Sequence, residues 1–336
     1  MLSPLRTACL LALAATALLP GGCRSALTPT PAPAASAAPA AGYQVVDLMP
    51  AFLEFWQQAQ NHDQATQVRL FQQRLADRYP EVYNQSVLGG PADKTFAENL
   101  PARYAKVQPL VQPRMALVER LSRQIGQDLP RYEASFRQTF PDLRYHGRIY
   151  FLYSLGGFDG GTRTVQGEQA LLFGLDMIAF VYGEEADPQP FFHHELFHLY
   201  HSQFFGRDET LAAALWREGL ATYVAHALNP SAAGVNLFGL PRNTPARVQA
   251  ELPRYARELR AALGSTSRDD YARFFLGGTD EQAATPGRAG YYLGYLVAQK
   301  LARHHSLPEL AHAQLAQLRP EIEQALAELM TGPAGR

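Results

Sequence analysis

Two histidines and a glutamate stand at a spacing that suits a metal ion and an activated water. Residues 194–198 read His-Glu-Leu-Phe-His. On a helix that turns by about 100° per residue, His194 and His198 lie about 40° apart on one face, and Glu195 flanks them. Two imidazoles on such a face can bind one zinc ion, while the neighbouring glutamate holds a water.

Glu218 is predicted to supply the third ligand. We place the C-cap of the first helix at Gly206 and the N-cap of the next at Asp208, so that the two helices run antiparallel. At about 1.5 Å per residue, Glu218 then arrives level with the gap between the histidines. A buried carboxylate needs a cation or hydrogen-bonding partners. The neighbours of Glu218 on its helical face are apolar or small: Leu211, Ala214, Leu215, Thr222 and Ala225.

Other interpretations of these residues stay open. His194 and His198 could be core histidines, with Glu218 paired to Arg217 or to another arginine. His201 shares the histidine face but lies about 10 Å along the axis from His194, too far for one tetrahedral ion to bind all three easily. We expect His201 to support one of the metal-ligating side chains or to pack in the core. His193 and His226 are expected to be ordinary surface or packing residues.

The motif resembles that of a known group of enzymes. His194, Glu195, His198 and Glu218, the last in a Glu-Gly-Leu-Ala context, are similar to the gluzincin metallopeptidases, the clan that includes thermolysin. Within the clan, the chain looks most like a family of bacterial Zn-dependent proteases of largely unassigned function. The likeness covers roughly residues 148–301. It implies that His194, His198 and Glu218 bind Zn²⁺, and that Glu195 is the general base for the metal-bound water.

The resemblance also implies an oxyanion donor. In aminopeptidases of the clan, a tyrosine three residues before a glycine has this role, and Tyr291 stands three residues before Gly294. Tyr292 and Arg288 remain alternatives, as does a packing role for these tyrosines. The chain lacks the Gly-x-Met-Glu-Asn motif of those aminopeptidases, so their specificity is not implied. Thr222 stands where thermolysin-like sequences have an aspartate, and a hydroxyl there can still hydrogen-bond a histidine ring, although it brings no charge to raise the basicity of the imidazole.

The predicted fold is α+β: a helix-rich zincin-like (gluzincin) fold with a small sheet packed on the H-E-x-x-H helix. Aromatic and branched residues predict strands, and the glycines of 156–161 predict a hairpin or an active-site rim. By resemblance, the sheet edge formed by 169–181 binds extended peptide. Strands are predicted at 148–153, 169–174 and 177–181, and helices at 45–60, 64–78, 100–125, 127–139, 244–263, 291–303 and 308–329.

The N-terminus has the pattern of a secretory signal. Arg6 precedes an apolar stretch, 8–19, that is too short to span a membrane, and small residues precede Cys23. This end resembles a lipoprotein cleavage box, although Pro20 departs from it and an ordinary cleaved signal is the alternative. The predicted organisation is a signal peptide (1–23), an Ala/Pro-rich linker (24–41), an N-terminal helical region (42–145), a zincin-like catalytic core (146–305) and a C-terminal helix and tail (306–336).

Composition narrows the function. The formal net charge of −1 gives no electrostatic case for nucleic-acid binding. After Cys23 the chain has no cysteine, so the core is stabilised without disulfides. Together these features predict a cell-envelope zinc peptidase that acts on peptide or protein and is anchored to the membrane through acylated Cys23. The alternatives are a non-catalytic zinc-binding envelope lipoprotein and a hydrolase of a non-protein amide such as a cell-wall peptide.

Overall fold

The structure is a computed structural model that describes residues 42–277 and 280–331. The predicted signal peptide, Cys23 and the linker lie outside the described residues. The strands are β1 (Gln44–Asp47), β2 (Arg148–Leu152), β3 (Gly160–Val165) and β4 (Glu168–Gly174). The helices are α1 (Met49–Ala59), α2 (Gln64–Phe71), α3 (Gln85–Leu88), α4 (Phe96–Val111), α5 (Met115–Thr139), α6 (Leu175–Tyr182), α7 (Pro188–His201), α8 (Leu211–Leu228), α9 (Val235–Phe238), α10 (Thr244–Ala250), α11 (Leu252–Ala261), α12 (Arg268–Phe275), α13 (Ala289–Leu301), α14 (Leu307–His312) and α15 (Leu315–Thr331).

The four strands form one mixed sheet in the order β1-β2-β4-β3. β1 and β4 both pair parallel to β2, and β3 pairs antiparallel to β4, with Thr162 opposite Leu171. The prediction of a helix-rich α+β protein with a small sheet is confirmed. The division of the chain at 145/146 and 305/306 stays a prediction.

The predicted peptide-binding edge at 169–181 is wrong. β4 lies inside the sheet between β2 and β3, so its backbone groups are already paired on both sides, whereas β3 forms an edge. The second half of that segment belongs to α6 rather than to a strand. A short, continuously apolar run has no periodicity that distinguishes a buried strand from a buried helix.

The helix predictions were right in location but wrong at several boundaries. The predicted helix at 45–60 begins too early. Residues Gln44–Asp47 form β1 instead, because they pair with β2. A turn at Gln112–Arg114 separates α4 from α5, and α5 then continues unbroken through the predicted gap near residue 126. Pro113 in this turn lacks the amide that a continuous helix would use. The predicted helices at 244–263 and 308–329 are each divided in two.

Aromatic packing fixes α7 on the sheet. Phe192 stacks on Phe173 of β4 with ring centroids 5.7 Å apart, and Phe191 meets the same ring edge-on at 5.8 Å. On its other sides α7 packs against α5 and α8, and α8 packs along α13. The helix that carries the H-E-x-x-H motif is therefore held between the sheet and two helices. Among the described residues, no helix has both the length and the apolar character needed to cross a bilayer.

Candidate metal centre

Local sequence sets where α7 and α8 begin and end. Asp187 caps α7, accepting a hydrogen bond from the Gln189 amide at 3.0 Å, and Pro188 occupies the first turn. α7 ends at His201 and α8 begins after Thr210, whose hydroxyl accepts from the Ala213 amide at 3.4 Å.

The predicted caps at Gly206 and Asp208 are therefore wrong. The helix ends at His201, with Ser202 as its C-cap, although the Phe205 amide still donates to the His201 carbonyl at 2.9 Å. Asp208 instead accepts from the Thr210 amide at 2.8 Å, and thereby supports the residue that caps α8. The connection is longer than predicted, yet it still brings Glu218 to the histidines.

Three side chains from α7 and α8 converge on one point. The two Nε2 atoms of His194 and His198 are 3.0 Å apart. Glu218 Oε2 lies 3.5 Å from the first and 3.2 Å from the second. In a tetrahedral zinc site with bonds of about 2.0–2.1 Å, neighbouring ligand atoms lie about 3.3 Å apart. The separations thus match those that one bound ion requires, and the group can hold a metal ion.

The charges of these groups also suit a cation. Burial lowers the pKa of His194 to about 4, so its ring is neutral near pH 7. Burial opposes protonation of His198 as well, but the Glu218 carboxylate outweighs it and raises the pKa of that ring. The two histidines in turn hold the pKa of Glu218 well below its usual value, in spite of burial. Unless a proton or a cation lies between them, the lone pairs of the three ligand atoms repel one another.

Among the described residues, the ion pairs of Glu218 are with His194 and His198, and none is with an arginine. Arg217 donates to the Asp208 carbonyl at 2.8 Å and lies over the Phe205 ring, away from Glu218. His201 is buried and stacks on Phe197, outside the cluster. The Nε2 atom of His201 has no hydrogen-bond partner among the described residues.

His193 and His226 have packing roles. His193 is fully buried, with Nε2 2.8 Å from the Tyr132 carbonyl of α5 and Nδ1 2.8 Å from the Asn229 amide nitrogen just after α8. It therefore ties α7 to both neighbouring helices, next to the ligand His194. His226 bonds the Tyr295 hydroxyl at 2.8 Å and so joins α8 to α13.

Glu195 lies against the start of the edge strand. A Cβ atom added to Gly160 would lie 3.1 Å from Glu195 Cγ and 2.6 Å from the Phe191 ring, so only glycine leaves space there. Burial, together with the negative charges of Asp159 and Glu218, raises the pKa of the Glu195 carboxyl to about 7. The group can therefore accept and release a proton near neutral pH.

The glycine-rich segment before β3 is held by a buried carboxylate. Asp176 accepts from the backbone amides of Ser154 and Gly156 at 2.7 and 2.8 Å. Asp159, the residue just before β3, accepts from the Tyr182 hydroxyl at 3.3 Å. The segment leads to Gly160 beside Glu195, so it forms a rim of the candidate site. Asp176 was not singled out from the sequence, where one aspartate in an apolar run has no distinguishing pattern.

Tyr291 of α13 and Arg288, the residue just before this helix, lie beside the three candidate ligands. The Tyr291 ring is nearly parallel to that of His194, at 17° with centroids 6.2 Å apart, and burial followed by the Glu218 charge raises the pKa of its hydroxyl well above 10. Arg288 lies over the Tyr291 ring at 4.0 Å. Tyr292 has a different environment, because its hydroxyl donates to Gln249 at 3.1 Å and its ring packs on Phe238.

Thr222 does not make the hydrogen bond to a histidine ring that its position would allow. Its hydroxyl donates to the backbone carbonyl of Glu218, one turn earlier, at 2.8 Å, rather than accepting from a histidine ring. Threonine in a helix commonly makes this bond, because the carbonyl four residues back lies within reach of its hydroxyl. Through this bond, Thr222 contacts the backbone of Glu218.

Comparison of the chain with protein-family models, with curated proteins and with solved structures returned no match. The resemblance to gluzincins therefore rests on the motif residues, and the function must be argued from the site.

Proposed function

We propose that this protein is a zinc-dependent peptidase of the gluzincin type, which hydrolyses peptide bonds with a metal-activated water. One observation supports it above all: His194, His198 and Glu218 place three ligand atoms 3.0 to 3.5 Å apart, with Glu195 next to them on the same helix. Zinc bound by two imidazoles and a carboxylate lowers the pKa of a water and polarises a carbonyl. A purely structural zinc site has no use for an adjacent base such as Glu195.

Glu195 acts as the general base and then as the general acid. In the protein alone, burial raises the pKa of its carboxyl to about 7. A cation at the neighbouring ligands would favour the ionised form, which takes a proton from the attacking water and returns it to the leaving amine. The close approach of Gly160 to Glu195 Cγ limits the positions that this side chain can take on the side of β3. Proton transfer by a positioned side chain of this kind accelerates a reaction by about 10²- to 10⁴-fold.

Tyr291 stabilises the oxyanion. Its hydroxyl stays protonated at any physiological pH, because burial and Glu218 raise its pKa, and a neutral phenol donates a hydrogen bond. A donor in a preformed position strengthens its bond as charge develops on the substrate oxygen. Tyr292 does not share this environment, since its hydroxyl is bonded to Gln249.

The edge strand β3 binds the substrate chain. It pairs with β4 on one side only, and its first residue lies beside Glu195. An extended peptide that adds to this edge gains backbone hydrogen bonds along the strand. Its scissile bond then passes close to the base. This assignment replaces the sheet segment predicted from the sequence. The location in the cell envelope and the lipid anchor at Cys23 remain part of the proposal.

The test compares wild-type protein with Glu195→Gln, each loaded with zinc. Unfolded casein, a mixture of short peptides and soluble peptidoglycan fragments are incubated with each protein, with chelator and after zinc is restored, and products are identified by mass spectrometry. We expect wild-type cleavage of peptide bonds that chelator abolishes, and a loss of at least about 10²-fold in Glu195→Gln at unchanged zinc content. Absence of wild-type cleavage of all three substrates would overturn the proposal, and cleavage of peptidoglycan fragments alone would redirect it to cell-wall amides.

A further inference from the structure

Arg288 lies beside the candidate site and, among the described residues, has no carboxylate at ion-pair distance. Its Nε is buried and has no hydrogen-bond partner among the described residues. Elsewhere in the described chain many guanidinium groups lie at ion-pair distance from a carboxylate, including those of Arg120, Arg137, Arg242, Arg254, Arg273 and Arg319. The side chain as a whole is half-buried, so this one donor is closed off while the rest of the guanidinium lies nearer the surface. A buried polar atom without a partner is uncommon in folded proteins.

The position of Arg288 is fixed by its surroundings. Its backbone is in the left-handed region, with φ of 59°, which few residues other than glycine adopt. The guanidinium carbon lies 4.0 Å above the Tyr291 ring. Two glycines border the side chain: an added Cβ would lie 2.9 Å from Nη1 at Gly239 and 3.3 Å from Cδ at Gly277. The side chain therefore passes close to Gly239 and Gly277, and these contacts keep its planar guanidinium over the Tyr291 ring.

The nearby acidic groups are already engaged. Asp159 acts on Arg288 through its charge alone, and its two carboxylate oxygens accept from the Gly160 amide at 3.0 Å and the Tyr182 hydroxyl at 3.3 Å. Glu218 points at the two histidines. Neither carboxylate forms an ion pair with the guanidinium. The donors of Arg288 are thus available for a group that is not part of the protein.

The charges around the site favour an anion as that group. Three carboxylates act here, those of Glu195, Glu218 and Asp159, against the guanidiniums of Arg288 and Arg163. With Glu195 ionised, a divalent cation at the histidines would bring the sum of these charges to +1. A substrate that brings one negative charge would neutralise it.

We propose that Arg288 binds a carboxylate of the substrate and makes the protein selective for peptides cleaved close to a carboxylate. This inference rests on the proposed peptidase function. The planar fork of a guanidinium pairs with a carboxylate through two parallel hydrogen bonds, which a lysine cannot reproduce. The carboxylate is either the C-terminal group of the peptide or an Asp or Glu side chain near the scissile bond, and the two sources share one chemistry.

The test uses matched peptides on zinc-loaded protein. One pair of N-acetylated oligoalanine peptides ends in a free carboxylate or in an amide, and a second pair of C-terminal amides carries Asp or Asn next to the scissile position. For wild type we expect kcat/KM to be about 10- to 100-fold higher for the carboxylate member of at least one pair. The first pair reports C-terminal recognition and the second reports side-chain recognition. Equal rates within both pairs would overturn the proposal.

Variants of Arg288 separate carboxylate binding from oxyanion stabilisation. Arg288→Gln should abolish the preference by lowering kcat/KM for the carboxylate peptide, mostly through KM, by a larger factor than for the neutral peptide. Arg288→Lys should keep part of the preference. Arg120→Gln, which breaks an exposed pair with Glu184, is the matched control and should leave the preference intact. A fall of equal size on charged and neutral peptides in Arg288→Gln would contradict the proposal and indicate an oxyanion role.

A binding measurement keeps the two proposals distinguishable. Zinc-loaded Glu195→Gln is titrated with the same peptides by calorimetry, and the expected result is tighter binding of a carboxylate member that Arg288→Gln removes. If no peptide is cleaved by wild type yet this difference in Kd is found, the peptidase proposal fails and the carboxylate site stands. If peptides are cleaved but neither kcat/KM nor Kd distinguishes the members of a pair, the carboxylate site fails alone.

Discussion

Gly219 and Gly294 bring α8 and α13 into backbone contact. A Cβ atom added to Gly294 would lie 2.7 Å from the Cα of Gly219, closer than any real side chain is found. Gly219 follows the ligand Glu218, and Gly294 comes one turn after Tyr291. This crossing therefore sets the separation between the third ligand and the proposed oxyanion donor.

Gly294→Ala should push the two helices apart. Excess volume in a packed core lowers the free energy of unfolding by about 1–3 kcal/mol, and more where backbone blocks relaxation, as it does here. Urea unfolding of the zinc-free protein measures the change. Gly126→Ala in α5 is the control, because nothing lies within 4 Å of an added Cβ there, and it should raise stability by about 0.5–1 kcal/mol. Equal effects of the two substitutions would contradict the close crossing.

Gly160→Val should impair catalysis without removing metal. The new side chain would press on Phe191 and on Glu195, so the base is displaced and the substrate edge at β3 is narrowed. We expect kcat/KM to fall by at least about 10-fold, while zinc binding stays at the wild-type level, since no ligand is touched. Gly264→Ala, at an exposed position with nothing within 4 Å, should leave both unchanged. Wild-type turnover in Gly160→Val would show that this part of β3 lies outside the working site.

Tyr291→Phe should lower kcat by about 10²- to 10³-fold, the usual effect of removing one oxyanion donor, with little change in KM. The ring is retained, so packing beside His194 is preserved and zinc should stay bound. Tyr292→Phe removes only the hydroxyl that bonds Gln249 and serves as the control. If the two variants lose activity to the same extent, the hydroxyl of Tyr291 has no special part in the reaction.

The buried His201 should make the zinc-free protein sensitive to acid. Burial lowers the pKa of this ring to about 3, from an ordinary value near 6.5, so between these pH values the unfolded chain binds a proton that the folded protein excludes. The stability that this neutral ring contributes is complete above about pH 6.5. It falls by about 1.4 kcal/mol for each unit of pH below that.

Urea unfolding in the presence of chelator, at several values between pH 4.5 and 7, measures this slope. His201→Gln lacks the titrating group, so its free energy of unfolding should vary less with pH than that of wild type. His304→Gln is the matched control, because the ring of His304 is exposed. Parallel pH profiles for wild type and His201→Gln would contradict the expected contribution of this ring.

The sequence predicted the three candidate ligands better than it predicted the fold around them. Helical periodicity alone aligns His194 with His198, and the distance along two helices brings Glu218 close even though the caps at Gly206 and Asp208 were misplaced. The misplaced caps did not change the predicted ligand set, because a longer connection alters the path between the two helices and leaves the faces that pack in place. The class of the protein, helix-rich with a small sheet, followed from composition and periodicity in the same way.

Features that depend on long-range packing were not predictable. The parallel pairing of β1 with β2 joins residues about a hundred positions apart, and no local pattern marks it. The interior place of β4 is likewise set by two other strands. Gly160 and Arg288 have meaning only through their neighbours, since one leaves space for Glu195 and the other lies on Tyr291. The sequence marked Gly160 only as one glycine of a possible active-site rim and Arg288 only as a possible oxyanion donor, and neither of these contacts could be predicted from it.

The most direct test of the central claim is the zinc stoichiometry and affinity of purified protein, measured by elemental analysis and by competition with a chromophoric chelator. We expect wild type to bind one zinc ion per chain. Loss of a residue that only supports a metal ligand usually weakens metal binding by about 10- to 100-fold, and Glu218→Ala should weaken zinc binding by more than that. Glu209→Ala, at an exposed site before α8, should bind zinc as wild type does. A wild-type protein that binds no zinc, or a Glu218→Ala protein that binds it with full affinity, would contradict the account.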